Sequence, residues 1–294
     1  MRGLLPRDTD ATGDSLHWTP GATPPERPPL VHERPPGWAL FATDAGRALA
    51  GAGLSAAGRA ILRAAPRGDG HPVLVLPGLG AGDASTLVLR RALRRLGYPV
   101  YGWRLGVNRG PTAQVVDGVP ALVADLHTRH GRRVSVIGWS LGGIYAHSAA
   151  RAHPELVRQV VTLGSPIRLS HPAQTRAMGY YRRHAHRHVP EHRLPPSELS
   201  QPPLPVPATS ILSTWDGIVS WRACLHDPGE RRENIAVVSS HFGIGNHPAA
   251  LWATADRLAQ PEHTWRPFRA PDVLARLFPP VPLPAGEADE APAR

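Results

Sequence analysis

The chain has 294 residues and a formal charge of +10, and all 33 of its basic side chains are arginine. That length is enough for one large domain with a sizeable core. The arginines form no basic helix face and no aromatic-rich RNA-binding signature, so the charge does not imply a nucleic-acid partner. The single cysteine, Cys224, excludes an intrachain disulfide. No apolar run reaches the ~18 residues of a membrane span, and no secretory segment is expected. A cytoplasmic protein without membrane insertion is expected.

Proline is concentrated at the ends. Residues 1–36 and 279–294 carry Pro-rich, weakly apolar sequence that buries too little surface to offset its chain entropy. Both are read as disordered tails around a folded domain at 37–278. Residues 37–65 are Ala-rich and weakly helical, and their role is not legible. VLVL at 73–76 lies between His71-Pro72 and Pro77-Gly78 and reads as a buried strand. STLVLRRALRRL at 85–96 puts Leu87, Leu89, Leu93 and Leu96 mostly on one helical face, with Ser85 as N-cap. A strand follows at 99–103, then a helix at 112–131 that Gly118 and Pro120 are expected to interrupt.

VSVIG at 134–138 is the third strand and leads into a helix from Ser140 to Ala152. Three further strands are read at 157–164, 209–213 and 234–240, and a last helix at 246–259. Buried strands alternating with helices indicate an open parallel sheet covered on both faces, with functional groups at the carboxyl ends of the strands. Residues 165–207, rich in Pro, His and Arg, break the rhythm and are read as a lid-like insertion over those ends.

The chemistry centres on Gly138-Trp139-Ser140-Leu141-Gly142, a G-x-S-x-G sequence at a strand-to-helix turn. Such a turn strains the serine backbone and leaves no room for side chains two residues to either side. The new helix points its N-terminus at developing negative charge. A serine hydroxyl needs a base, and the base an orienting acid. Asp216, just after the strand at 209–213, is the acid candidate, and His241, just after the strand at 234–240, is the base. His247 competes with His241, while Asp227 and His226 read as surface groups. The two N–H donors for an oxyanion are assigned to Leu141, which follows the serine, and to Leu79 in the loop PGLGAGD. Trp139, Trp103 and Trp215 are candidates for a substrate pocket. His184, His186, His188 and His192 are interleaved with four arginines and read as a solvated polar face, so no metal is expected. Neither nucleotide-binding glycine motif occurs, and no cofactor is expected.

The stretches VLVLPGLGAGDAST, LGYPVYGWRLGVNRGP, VSVIGWSLGGIYA, VRQVVTLGSP, TWDGIV and SSHFGIGNHP, spread over residues 71–260, resemble the α/β-hydrolase superfamily, and within it small actinobacterial lipase- and esterase-like proteins. The resemblance implies an α/β-hydrolase fold with Ser140 as nucleophile, Asp216 as acid, His241 as base, and Leu79 and Leu141 at the oxyanion. One departure is Pro77-Gly78, where many relatives have His-Gly before the oxyanion residue. The first two strands of the fold are not evident, which implies a sheet of six. The function expected is hydrolysis of a small acyl ester without an obligate protein partner. Acyl transfer or thioester hydrolysis by the same residues, and ligand binding without catalysis, are the alternatives.

Overall fold

Six short apolar runs pair side by side, all parallel, in the order β2-β1-β3-β4-β5-β6. A computed structural model of the chain describes residues 34–52, 56–227 and 229–282. Most of both segments read as tails lies outside the described residues. Of their inner ends, Pro36 accepts hydrogen bonds from Arg176 and Val281 packs against the apolar cluster that includes Leu212 and Leu225.

The strands are β1 (Val73–Leu76), β2 (Val100–Gly102), β3 (Val134–Trp139), β4 (Val157–Leu163), β5 (Ala208–Leu212) and β6 (Arg232–Ala236). Alternate side chains leave opposite faces of a strand, and both faces here are apolar. Val73, Val75, Ile137, Val161 and Ile211 join one core cluster. Leu74, Leu76, Val134, Val136 and Val160 join the other. Helices α3 (Leu87–Arg95) and α7 (Pro248–Ala259) supply the first cluster, α4 (Ala113–His130) and α5 (Leu141–Ala152) the second. This explains why the central strands read as continuous apolar runs rather than alternating ones. No helix among the described residues is long and apolar enough to cross a membrane.

The chain runs outward from β1 to β2, then returns to place β3 on the other side of β1. Sites form where strand order reverses in this way. The loop after β1 and the turn after β3 therefore face each other across the β1–β3 crevice, with Leu76 level with Gly138.

Several local expectations change. α4 is continuous through Pro120. The proline removes one helical hydrogen bond, at a cost of about 3 kcal/mol, but Val115, Val119, Val123 and Leu126 bury one stripe of the helix and outweigh it at about 1.5–3 kcal/mol each. Ser85 does not cap α3. It lies within a 3-10 turn, Asp83–Thr86, and donates to the Gly82 carbonyl, so Thr86 occupies the cap position. β6 begins two residues earlier than read and ends at Ala236. Its polar first half, Arg232-Glu233, pairs at the sheet edge with Ala208-Thr209, where charged residues are tolerated. Two helices precede β1: α1 (Trp38–Ala52) and α2 (Ala56–Arg63). Between β4 and β5, residues 165–207 form short 3-10 turns and one helix, α6 (Met178–Arg183).

Candidate active site

Ser140 joins β3 to α5 with φ 53° and ψ −123°, a backbone region that a residue bearing a Cβ rarely adopts. The two flanking glycines make this possible by close approach. A Cβ on Gly138 would stand 2.3 Å from the Gly143 nitrogen, and one on Gly142 would stand 2.5 Å from the Leu76 carbonyl oxygen. The turn is fixed by the Ser140 N–H, which donates to the Leu163 carbonyl at 2.9 Å.

His241 and Asp216 arrive from the β6 and β5 ends of the sheet. His241 Nε2 lies 3.0 Å from Ser140 Oγ, and Nδ1 lies 2.7 Å from Asp216 Oδ2. A carboxylate only accepts, so Nδ1 carries the proton and Nε2 is left to accept from the serine hydroxyl. The second oxygen of Asp216 accepts the N–H groups of Ile218 and Val219, both at 2.8 Å, which fixes the carboxylate plane. The Trp139 indole N–H donates to the His241 carbonyl at 3.1 Å, holding that residue from behind. All three groups are buried: Ser140 is 7% exposed, Asp216 3% and His241 3%. Burial alone lowers the pKa of His241. The charge and hydrogen bond of Asp216, with Asp44 beside them, outweigh it and hold the imidazole above its ordinary value.

Leu79 and Leu141 line the same cavity as Ser140. Among the described residues, neither backbone N–H donates to a protein acceptor. Leu141 is the first residue of α5, where an N–H has no helical partner. The loop carrying Leu79 is held by Asn108, which the sequence reading missed. This fully buried side chain donates to the Pro77 carbonyl at 2.9 Å. Its backbone exchanges bonds with Gly80 and Ala81. The only sequence signal for it was a lone asparagine between Gly106 and Gly110.

A cavity of about 300 Å³ opens beside Ser140. Ile144 of α5 lines it from below, and Ile167, Leu169, Met178 and Leu194 of the 165–207 insertion line it from above. Residues of the 165–207 insertion thus supply part of the cavity wall beside Ser140. The three candidate tryptophans do not line this cavity, which corrects the pocket reading. Trp103 is wholly buried in the α4-side core and donates to the Gly106 carbonyl. Trp139 lies behind His241, and Trp215 is 52% exposed on the loop that carries Asp216. Aromatic residues near strand ends pack wherever their large surfaces find partners, and sequence does not say on which side.

The rival groups go elsewhere. His226 stacks on His147 with ring centroids 5.2 Å apart, and Asp227 pairs with Arg168. His247 starts α7, and burial lowers its pKa. In the histidine-rich segment, His188 bonds the Arg109 carbonyl while His184 lies against Tyr180.

A second Ser-His-Asp set occurs at the opposite, amino end of the sheet. His71 Nε2 lies 2.7 Å from Ser135 Oγ, and its Nδ1 lies 2.5 Å from Asp69 Oδ1. Ser135 and His71 are wholly buried, and the Ser135 N–H is taken up by the Pro72 carbonyl. Ser135 sits inside β3, where the register with β4 shifts, and lines no cavity described above. Hydrogen-bond distances therefore do not distinguish the two sets. What does is the strained turn, the cavity and the two unpaired N–H groups at Ser140.

The fold is that of the α/β-hydrolases. Its parallel sheet, serine turn at the switch point, and a carboxylate and an imidazole brought to that serine from later strands in the order Ser, Asp, His carry this assignment. No family model matches the chain, and no curated protein matches it in sequence. Among solved structures, the pyrethroid hydrolase PytH is similar at 17% identity and a TM-score of 0.47, over 64% of this chain and 96% of that one. A lipase-esterase related protein from Clostridium acetobutylicum ATCC 824 is similar at 13% identity and 0.47, over 66% and 97%. The mature form of Bacillus licheniformis lipase BlEst2 is similar at 16% identity and 0.44, over 66% and 94%. These likenesses assign no role to any residue here.

Proposed function

We propose that the protein is a serine hydrolase that cleaves small carboxylic esters through an acyl-enzyme. Ser140 Oγ attacks the ester carbonyl as its proton passes to His241 Nε2. Asp216 keeps the proton on Nδ1 and stabilises the imidazolium that forms. The N–H groups of Leu79 and Leu141 receive the oxyanion. Collapse of the tetrahedral intermediate expels the alkoxide, which takes the proton from His241. Water, deprotonated in turn by His241, then attacks the acyl-enzyme and releases the acid.

The observation that carries this reading is the hydrogen-bonded Ser140–His241–Asp216 chain at a strained turn that opens into an apolar cavity. The cavity volume, at the low end of the range for ligand pockets, favours a short acyl or aryl group over a long lipid chain. The insertion supplies much of the wall, so the segment that differs most from the α/β rhythm sets the shape the substrate must fit. The test is labelling with a fluorophosphonate probe followed by peptide mapping. Label on Ser140, together with p-nitrophenyl acetate hydrolysis, supports the assignment. A folded protein that takes up no label removes it.

A further inference from the structure

Helix α1 precedes the first strand and lies outside the alternating part of the chain, yet it supplies a charged group to the site. Asp44 is wholly buried. Its Oδ1 accepts the N–H groups of Gly217 and His241, both at 2.9 Å, and its Oδ2 accepts that of Phe242 at 3.0 Å. Gly217 follows the acid Asp216, and His241 is the base. One carboxylate thus ties together the backbones of two loops that come from different strands. Arg47, one turn further along α1, bonds Asp44 and reaches the carbonyls of Leu40 and Trp215. The contact between α1 and the acid loop is close: a Cβ on Gly217 would stand 2.3 Å from the Leu40 carbonyl oxygen.

A carboxylate accepting several N–H bonds in a buried place is a strong, geometrically demanding clamp. The clamp acts on the residues whose relative position sets the proton transfer. We propose that Asp44 is a positioning residue for the reaction: by holding Gly217, His241 and Phe242 together, it sets the placement of the base against Ser140. This rests on the ester-hydrolase reading of Ser140.

Two consequences separate this role from mere stability. No described residue of α1 lines the cavity wall, so loss of the clamp affects the chemical step rather than substrate binding. The Asp44 charge also helps to hold the His241 pKa up, so it shapes the pH profile. The charged groups that act on the imidazole are Asp216, after β5, and Asp44 on α1, which Arg47 in turn bonds. Arg176 of the insertion lies over the rings of Trp38 and Phe41 on α1. His247, next to the turn packed on α1, has its pKa lowered by burial.

The experiment compares the full-length wild type with Asp44→Asn and Arg47→Ala. Each is checked for folding by near-UV circular dichroism, and p-nitrophenyl ester kinetics are followed over about pH 5 to 9. Asp44→Asn is expected to lower kcat by ~10- to 100-fold, as small misplacements of a reacting group do, with KM changed by less than about twofold. Its acid limb moves to lower pH. Arg47→Ala leaves the Asp44 charge less neutralised, and its acid limb moves the opposite way, to higher pH.

A folded Asp44→Asn protein with wild-type kcat and pH profile overturns the proposal. If Asp44→Asn does not fold, Arg47→Ala decides alone, and an unmoved acid limb there overturns it. Fluorophosphonate labelling of the wild type separates the two levels. A labelled, active wild type beside an unaffected Asp44→Asn defeats only this inference, whereas an unlabelled and inactive wild type defeats the hydrolase reading as well.

Discussion

Ser135 provides the sharpest control on what makes a serine reactive in this fold, because its bond to His71, and that of His71 to Asp69, match those around Ser140. In Ser135→Ala the hydroxyl that lies 2.7 Å from His71 Nε2 is lost, while the imidazole stays fully buried. Its Nε2 then has no partner, and an unsatisfied buried polar atom costs about 1–3 kcal/mol. The cavity left by one oxygen adds little, since a single hydroxyl is smaller than the methyl groups whose deletion from cores costs about 1 kcal/mol. Urea unfolding at neutral pH should therefore show the midpoint falling with an unchanged slope, equivalent to about 1–3 kcal/mol. Ester hydrolysis by the folded variant should match the wild type within about twofold, because Ser135 is at the amino end of β3 and Ser140 is past its carboxyl end. A Ser135→Ala protein of wild-type stability, or one that is folded but has lost activity more than about tenfold, would refute the reasoning.

Further outcomes follow from the charged groups. His71 titrates at about 4, because burial and then the neighbouring Arg158 charge disfavour its protonated form more than Asp69 favours it. The unfolded chain protonates it near 6.5, so its contribution to stability is complete above pH ~6.5 and is lost as pH falls towards 4. At about 1.4 kcal/mol per pH unit this amounts to about 3 kcal/mol, measurable as a falling urea midpoint between those pH values. A midpoint that rises on acidification would contradict it. In the site, His241 must be neutral to act as base, and its pKa is raised. Ester hydrolysis should therefore rise with pH through a midpoint above that of free imidazole. Asp216→Asn removes the main raising influence and the tautomer restraint. Its kcat should fall by about 10⁴-fold, and the acid limb of the remaining activity should move to lower pH. An unmoved acid limb would show that another group titrates.

The serine turn was legible because steric exclusion writes itself into sequence: Gly138 and Gly142 are required by backbone atoms within about six residues of the chain or in the adjoining strand. Asp216 and His241 were legible through strand order, since the sheet delivers each strand end to the same edge. His241 was found even though β6 ends five residues before it, because the loop between still runs toward Ser140. Asp44 was not legible, although it is the one carboxylate in 37–65. Its partners are backbone N–H groups more than 170 residues away, and a backbone donor leaves no mark on residue type. Asn108 was hidden for the same reason. The pocket tryptophans were misplaced because periodicity reports burial but not which buried surface encloses a cavity. Pro120 misled in the other direction, since a local propensity of a few kcal/mol yields to a buried stripe that only the tertiary structure provides.

The central claim is that Ser140, and not Ser135, is the nucleophile. The most direct test is the single-turnover release of p-nitrophenol, measured side by side for the wild type, Ser140→Ala and Ser135→Ala. The account predicts that Ser140→Ala folds normally and loses activity by about 10⁴- to 10⁶-fold, while Ser135→Ala retains it. Ser140→Ala that still cleaves the ester at the wild-type rate would contradict the account outright.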